Sequence, residues 1–248
     1  MNTALRSEHR TLTRFSVVSA ALLLSACAAF SPDSGMDAVS KHTVTAIGTE
    51  PIALRSEADA AAARERLEQL LKTPLTADAA VKAALLNNRG LQAAYNALGV
   101  AEAAKVRTSL PPNPTFSLAR LQGGGEIEVE RQVAANILAL ATLPVRAEIA
   151  DNLFQQAQLN AVLATLRVAA EARRGFYRAV AAQALAAHLA EATQSAKVTA
   201  ELGKRLGETG ALNKLDQARN QVFYAEMTAR LAVARQHAAA ERERLVRV

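Results

Sequence analysis

Residues 144–206 determine the fold class more than any other segment: PVRAEIADNLFQQAQLNAVLATLRVAAEARRGFYRAVAAQALAAHLAEATQSAKVTAELGKRL. Pro144 suits the first position of a helix, and no proline follows it in this stretch. Within residues 144–202, Gly175 is the only glycine, and strong helix formers dominate the composition of this stretch. At a rise of about 1.5 Å per residue, the predicted helix 144–206 is about 90 Å long. A rod of that length cannot be the core of a compact globule and must pack along other rods.

Apolar residues recur along this helix at the spacing of one helical face. They are Leu159, Val162, Leu163, Leu166 and Ala169, and Val180 returns to the same stripe. The segment 203–212, GKRLGETGAL, interrupts the pattern because Gly203, Gly207 and Gly210 weaken a helix. A further alanine-rich helix is predicted over residues 212–248, and its apolar side carries Leu215, Val222, Ala225, Ala229 and Val233. The sequence therefore predicts a helical hairpin with a tight tip at 203–212.

Two shorter helices are predicted before the long one. The first covers residues 57–71 and ends before Pro74. The second begins after Thr76, a residue type that caps helix N-termini, and has Asp78 near the positive end of the helix dipole. It is predicted to continue as one helix, 76–107, up to the proline-rich segment that follows.

A β-hairpin is predicted over residues 115–137, where the apolar pattern changes to a period of two. The run Gly123-Gly124-Gly125 supplies a permissive turn between the two strands. Alternation along the second strand places an acidic row on one face, consisting of Glu126, Glu128 and Glu130 followed by Gln132. The opposite face carries Ile127, Val129, Val133, Ala135 and Ile137.

This alternation permits two interpretations of the hairpin. Two strands of a transmembrane barrel would turn the acidic row towards a lumen, since such strands need only about 9 to 11 residues. A hairpin on the surface of a water-soluble domain fits the pattern equally well. Arg131 counts against the membrane interpretation because it falls on the apolar face, and it would have to lie near the headgroups.

The N-terminus has the composition of a signal peptide over residues 1–26. Arg6, Arg10 and Arg14 precede a short apolar run that is too short to span a bilayer. Leu24-Ser25-Ala26-Cys27 then resembles the lipobox of bacterial lipoproteins, which predicts acylation of Cys27, the only cysteine. The alternative is an unmodified cysteine behind an ordinary signal peptide. Residues 27–56 are predicted to be a flexible tether, and Ala28, in place of an aspartate, favours the outer membrane.

Composition and residue distribution argue against several classes of function. Half of the residues are apolar and aromatic residues make up 4%, which favours closely packed helices over a core with a carved pocket. Removing residues 1–26 takes away three arginines and one glutamate, so the formal net charge falls from +6 to +4. With few aromatic residues, this charge does not predict a nucleic-acid partner. The four histidines are scattered, so we predict no metal site, no cofactor and no enzymatic activity.

The order of elements resembles one repeat of the TolC-type outer membrane efflux protein family, in its lipoprotein branch. The resemblance covers residues 57–248 and the lipobox. It is carried by three segments: Pro74 to Val81 with Leu86-Asn87-Asn88, then Leu110 to Phe116, and the tip followed by Leu215-Asp216-Gln217-Ala218-Arg219. The implied fold is a long α-helical hairpin, forming coiled-coil tunnel segments, with two strands of a transmembrane β-barrel, which is half of a TolC-like protomer.

The resemblance also implies a function and partners. Family members are trimeric channel-tunnels that act as passive export conduits of tripartite efflux systems. The tip would dock a periplasmic adaptor protein of an inner membrane pump, through Arg205, Leu206, Gly207 and Gly210. The lumen-facing strand would carry Glu126, Glu128 and Glu130. The protein would lie in the outer membrane, anchored by lipid and extending into the periplasm, as a homo-oligomer.

The chain departs from the family in carrying one repeat where a family protomer carries two. We therefore expect a truncated or split form, since two strands per chain would give a trimer only six strands. The alternative interpretation is a non-conducting periplasmic scaffold lipoprotein, in which the helices form a coiled-coil spacer and the hairpin is soluble.

Overall fold

The computed structural model describes residues 30–123 and 126–248 of the chain. Within these residues the protein is mainly helical and has one two-stranded antiparallel sheet, which confirms the prediction of a mainly α fold with a small β-hairpin. The elements in chain order are α1 (Met36–Ile47), α2 (Glu57–Leu71), α3 (Ala77–Asn87), α4 (Arg89–Ser109), β1 (Thr115–Gly123), β2 (Glu126–Ala134), α5 (Ile137–Ala141), α6 (Leu143–Glu208) and α7 (Lys214–Val246).

The chain divides into two compact units. Among the described residues, unit 1 contains 30–42 and Ala93–Val162, and unit 2 contains Thr43–Gln92 and Leu163–Val248. The β-hairpin lies in unit 1 and the tip of the helical hairpin lies in unit 2.

Unit 1 is organised by the antiparallel contact of α4 with the first part of α6. Lys105 Nζ lies 2.6 Å from Asp151 Oδ1 and 5.0 Å from the centroid of the Phe154 ring. Nearer the hairpin, Arg146 Nη2 donates a hydrogen bond of 3.0 Å to the carbonyl of Thr108. The hydrogen bond from Lys105, with a second from Gln155, lowers the pKa of Asp151 from its ordinary value of 3.8.

Unit 2 contains α2, α3 and the rest of the long helices. Ser56 begins α2 with a capping box, in which its hydroxyl accepts from the Asp59 backbone and the Asp59 carboxylate accepts from the Ser56 backbone. Thr76 caps α3 as predicted, accepting from the backbone N–H of Ala79 at 3.1 Å. An ion pair of 2.9 Å joins Asp78 to Arg173 of α6. These local bonds hold the short helices in place.

The predicted single helix 76–107 is wrong, because the chain forms two helices separated at Asn88. The backbone N–H of Asn88 still bonds to the carbonyl of Ala84, at 2.9 Å, and closes α3. The Asn88 side chain then accepts from the backbone N–H of Leu91, also at 2.9 Å, and so caps the start of α4. Asparagine interrupts a helix here because its short side chain competes for backbone donors.

The prediction of a flexible tether over residues 27–56 is wrong for residues 30–56. Helix α1 occupies Met36–Ile47, and it has a buried face formed by Met36, Val39 and Thr43. The segment that follows is fixed by Gln92, whose side chain donates to the carbonyl of Ile52 and accepts from the backbone N–H of Leu54, both at 2.9 Å. The helical spacing of Met36, Val39 and Thr43 is present in the sequence but is obscured by the surrounding serine, threonine and glycine.

The two strands pair in register from Thr115 with Ala134 to Gly123 with Glu126. The second strand was predicted to extend to Ile137, which is too far. The observed strand β2 ends at Ala134, and Ile137 begins the short helix α5. Asn136 causes this change by accepting a hydrogen bond of 2.9 Å from the backbone N–H of Ala139. The apolar side chain of Ile137 therefore belongs to a helix and not to the face of the hairpin.

Candidate functional site at the tip of the helical hairpin

The tip begins where α6 ends in a Schellman motif. The backbone N–H of Ala211 bonds to the carbonyl of Leu206 at 2.8 Å, and that of Gly210 bonds to the carbonyl of Gly207 at 3.1 Å. Gly210 has φ of +77°, the left-handed conformation that this motif requires and that glycine adopts without steric cost. The chain therefore turns out of α6 with its terminal carbonyl groups satisfied.

Directly after the tip, Asn213 caps the N-terminus of α7. The Asn213 side chain accepts from the backbone N–H of Asp216 at 2.9 Å and donates to the Asp216 carboxylate at 2.7 Å. Asp216 lies in the first turn of α7, where a negative charge is favourable. The helix ends on both sides of the reversal are thus closed by residues within the tip or directly after it.

Two glycines of α6 let α7 approach closely below the tip. A Cβ added at Gly203 would lie 2.7 Å from Asn220 Nδ2, and one added at Gly207 would overlap the amide group of Gln217. The Gln217 amide donates to the carbonyl of Leu212 at 3.0 Å, which keeps its side chain over Gly207. These glycines are packing positions in the contact between the two helices.

The same contact continues along both helices as a seam. On α6, Ala196 and Ala200 are 3% exposed, and the Thr193 hydroxyl lies 3.2 Å from the carbonyl of Met227 on α7. Further along, a Cβ added at Gly175 would lie 3.3 Å from Leu245 Cδ1. From Thr193 to the tip, the seam residues of α6 recur every three or four positions and are all small: Thr193, Ala196, Ala200, Gly203 and Gly207. Small residues at this spacing allow close approach of two helices.

The large apolar residues that the sequence pattern selected lie mostly outside the seam. Val162 and Ala169 are buried. The exposed residues of that pattern are Leu159, Leu163 and Val180 on α6 and Leu215, Val222 and Val233 on α7. The apolar periodicity of the sequence does not reveal the seam, because alanine and glycine contribute little to a hydrophobic pattern.

The structure distributes the four predicted tip residues between two roles. Arg205 and Leu206 are exposed on the last turn of α6. Gly207 is half-buried and covered by Gln217, whereas a Cβ added at Gly210 would meet open space. The arginine and the leucine are thus available as contact groups, and the glycines determine the shape of the reversal.

The β-hairpin carries the second predicted site. Glu130 is exposed and pairs with Ala119, whereas the side chains of Glu126 and Glu128 lie outside the described part of the structure. The face opposite Glu130 carries exposed apolar side chains, with Phe116 at 66% and Val133 at 71%. Arg131 pairs with Leu118 on this face, and Arg120 pairs with Val129. The apolar face therefore contains two arginines, and one of them was not noticed in the sequence.

Three further findings concern membrane attachment and metal binding. Cys27, the predicted acylation site, lies outside the described residues. In the described ranges, no helix combines the length and the apolar character required to cross a membrane. The same ranges bring no three histidine, cysteine, aspartate or glutamate side chains together in a group that could hold a metal ion.

The chain matches no protein-family model, no curated protein and no solved structure in the three comparisons made with known proteins.

Proposed function

We propose that this chain is a component of an outer membrane channel-tunnel in a tripartite efflux system, in which the tip docks a periplasmic adaptor. The observation that carries this proposal is the division of residues on the two long helices. Small residues close the seam between α6 and α7, while large aliphatic side chains on both helices face outwards. Rods with this division are suited to packing side by side with further rods, as the walls of a helical tunnel do.

The hairpin supports the same proposal. Each strand has nine residues, which is enough to cross the apolar layer when tilted. One face carries Phe116, Leu118, Val129 and Val133, and the other carries Ser117, Glu130 and Gln132. An apolar face towards lipid and a polar face towards water is the arrangement of barrel strands.

The tip suits adaptor docking because it is rigid and carries exposed side chains of both kinds. Arg205 can form ion pairs or hydrogen bonds with a partner, and Leu206 can pack against an apolar partner surface. Because the caps fix the reversal, little conformational entropy is lost when a partner binds. Acylation at Cys27 and a passive, non-enzymatic role belong to the same proposal.

The second candidate is a non-conducting periplasmic scaffold lipoprotein. It is favoured by Arg120 and Arg131, which lie on the apolar face of the hairpin. An arginine at the middle of a bilayer costs about 2 to 4 kcal/mol, whereas one in water costs nothing. In this alternative α6 and α7 form a coiled-coil spacer, and the hairpin stays in water.

The two candidates differ in whether the apolar face of the hairpin requires lipid or detergent. We would therefore measure the solubility of the mature chain carrying Cys27→Ser, a substitution that removes the acyl chain. The channel proposal predicts precipitation without detergent and a monodisperse species with it. The double variant Phe116→Ser/Val133→Ser should relieve this requirement more than Val198→Ser/Leu202→Ser, a matched change of two exposed aliphatic residues on α6. A chain that stays monodisperse without detergent contradicts the channel proposal and supports the scaffold.

A further inference from the structure

Unit 2 contains a cavity of about 480 Å³, which is lined by α2, by α3 and by the segment that precedes α2. Its apolar lining comes from all three parts, namely from Ile52 in the segment, Leu70 on α2, and Leu85 and Leu86 on α3. Leu85 is 3% exposed, whereas the other three are half-buried and keep some apolar surface uncovered. This volume and this partly apolar lining are typical of sites that bind small organic molecules.

The three walls of the cavity are each held in place within unit 2. Ser56 caps the start of α2, and Thr76 caps the start of α3. The Gln92 side chain fixes the preceding segment through the carbonyl of Ile52 and the backbone N–H of Leu54, at 2.9 Å each. A ligand would therefore enter a preformed site, and little conformational entropy would be lost on binding.

Three charged residues also line the cavity: Arg66 on α2, Lys82 on α3 and Glu50 in the preceding segment. All three are exposed, and among the described residues none of them takes part in an ion pair or a side-chain hydrogen bond. Two positive charges and one negative charge give the lining a net formal charge of +1. A ligand with a single negative charge would balance this lining.

The charges and the apolar surface together define the ligand class. A carboxylate in the cavity would be attracted by Arg66 and by Lys82, and charge-assisted hydrogen bonds to such groups are stronger than neutral ones. A cation would instead meet two like charges for one opposite charge. The apolar body of the ligand would cover the uncovered surface of Ile52, Leu70 and Leu86, which removes that surface from water.

We propose that this cavity is a binding site for a small amphiphilic monoanion, a carboxylate with an apolar body. Arg66 and Lys82 attract the carboxylate, and Ile52, Leu70 and Leu86 contact the apolar body. The inference does not depend on the proposed function, because none of these residues belongs to the tip, the seam or the β-hairpin.

The test is a titration of the mature chain with para-tert-butylbenzoate, followed by NMR of the isoleucine δ1 methyl groups. Ile52 lines the cavity, and Ile137, which is 79% exposed on α5, supplies the control signal. The Ile52 signal should shift and saturate, whereas the Ile137 signal should show no saturation over the same range. The cation para-tert-butylbenzylammonium has the same apolar body and should bind at least about tenfold more weakly.

Charge variants of the lining test the assignment of the cations. Arg66→Gln and Lys82→Gln should each raise the Kd of the benzoate about threefold, and the double variant about tenfold. Glu50→Gln should lower the Kd about twofold, because it removes the one negative charge of the lining. Lys72→Gln is the matched control at an exposed lysine directly after α2, outside the lining, and should leave the Kd unchanged.

All four substituted side chains are exposed, so the variants should keep the circular dichroism of the unmodified chain. If a variant loses helicity, the comparison of the benzoate with the ammonium on the unmodified chain still decides the sign of the ligand charge.

Several results would contradict the inference. Equally tight binding of the ammonium would assign the cavity to Glu50 and a cationic ligand. Parallel shifts at Ile52 and Ile137 would mean that the probe contacts apolar surface without a specific site. A Kd that the double variant leaves unchanged would remove Arg66 and Lys82 from the site, and an Ile52 signal that never shifts would mean that the cavity binds no anion of this class.

Discussion

The tip of the helical hairpin and the β-hairpin are both reversals of the chain, but they differ in the contacts that stabilise them. At the tip, Gly210 and Asn213 satisfy the backbone groups of both helix ends, and Gly203 and Gly207 bring the helices together. In the β-hairpin, the described strands bond to each other and carry exposed residues on both faces. The tip is therefore specified by the chain itself.

The hairpin is different because two strands alone are only marginally stable in water. Its apolar face, with Phe116 and Val133, gains stability only where something covers it. The two reversals therefore differ in what stabilises them. The shape of the tip is built in, and the environment of the hairpin determines its stability.

The largest effect is expected in the seam below the tip. Ala200→Leu introduces a bulky side chain where 3% of the residue is exposed, and overpacking of this kind costs about 3 kcal/mol of unfolding free energy. Chemical denaturation followed by circular dichroism measures the loss. Ala187→Leu is the control on an exposed position of the same helix and should change stability by less than about 0.5 kcal/mol. Equal losses for both variants would mean that α6 and α7 do not meet at this seam.

A smaller effect is expected at the reversal itself. Gly210→Ala forces a side chain into the left-handed conformation at φ of +77°, which costs about 1 to 2 kcal/mol. The loss should appear as faster amide hydrogen exchange at residues 206–214. Gly210→Asn should cost less, because asparagine tolerates this conformation. If alanine exchanges as slowly as glycine, the Schellman motif does not hold the tip.

The hairpin should respond in the opposite way. Phe116→Ser changes a side chain that is exposed within the described residues, so the unfolding free energy in water should change by less than about 0.5 kcal/mol. Binding of the mature chain to lipid vesicles should nevertheless weaken. Ser117→Ala, on the opposite face, is the control and should leave vesicle binding unchanged. A large loss of stability in water would show that Phe116 is packed within the chain.

The smallest effect concerns acid stability in unit 1. The pKa of Asp151 is lowered in the folded state, chiefly by the hydrogen bond from Lys105, so this carboxylate contributes stability above its unfolded pKa. The contribution is lost as the pH falls below 3.8 and through the folded pKa. Asp151→Asn should therefore reduce the dependence of melting temperature on pH in this range and lower the melting temperature slightly at neutral pH. An unchanged pH profile would show that the Lys105 contact contributes no stability.

The sequence predicted the long helices closely and the local interruptions poorly. The predicted helix 144–206 agrees with Leu143–Glu208, because a long alanine-rich stretch without proline leaves few alternatives. The break at Asn88 and the end of β2 before Asn136 were missed, because each depends on one side-chain hydrogen bond worth about 1 kcal/mol. Such a bond competes with helix or strand continuation on nearly equal terms.

The candidate site was predicted only in outline. The glycines of the tip were recognised as a reversal, but nothing in the spacing distinguished Gly207, which packs against Gln217, from Gly210, which turns the chain. The contact between Ser31 and Glu102 was missed for a related reason. Ser31 and Glu102 are 71 residues apart, and a single long-range hydrogen bond leaves no periodic signal.

The most direct test of the central claim is photo-cross-linking from the tip in living cells. A photoreactive amino acid replaces Arg205, and Arg178, an exposed arginine elsewhere on α6, serves as the control position. The proposed channel-tunnel role predicts an adduct from position 205 that contains the periplasmic adaptor of an efflux pump, identified by mass spectrometry, and none from position 178. Absence of this adduct at 205, or its equal formation at 178, would contradict docking through the tip.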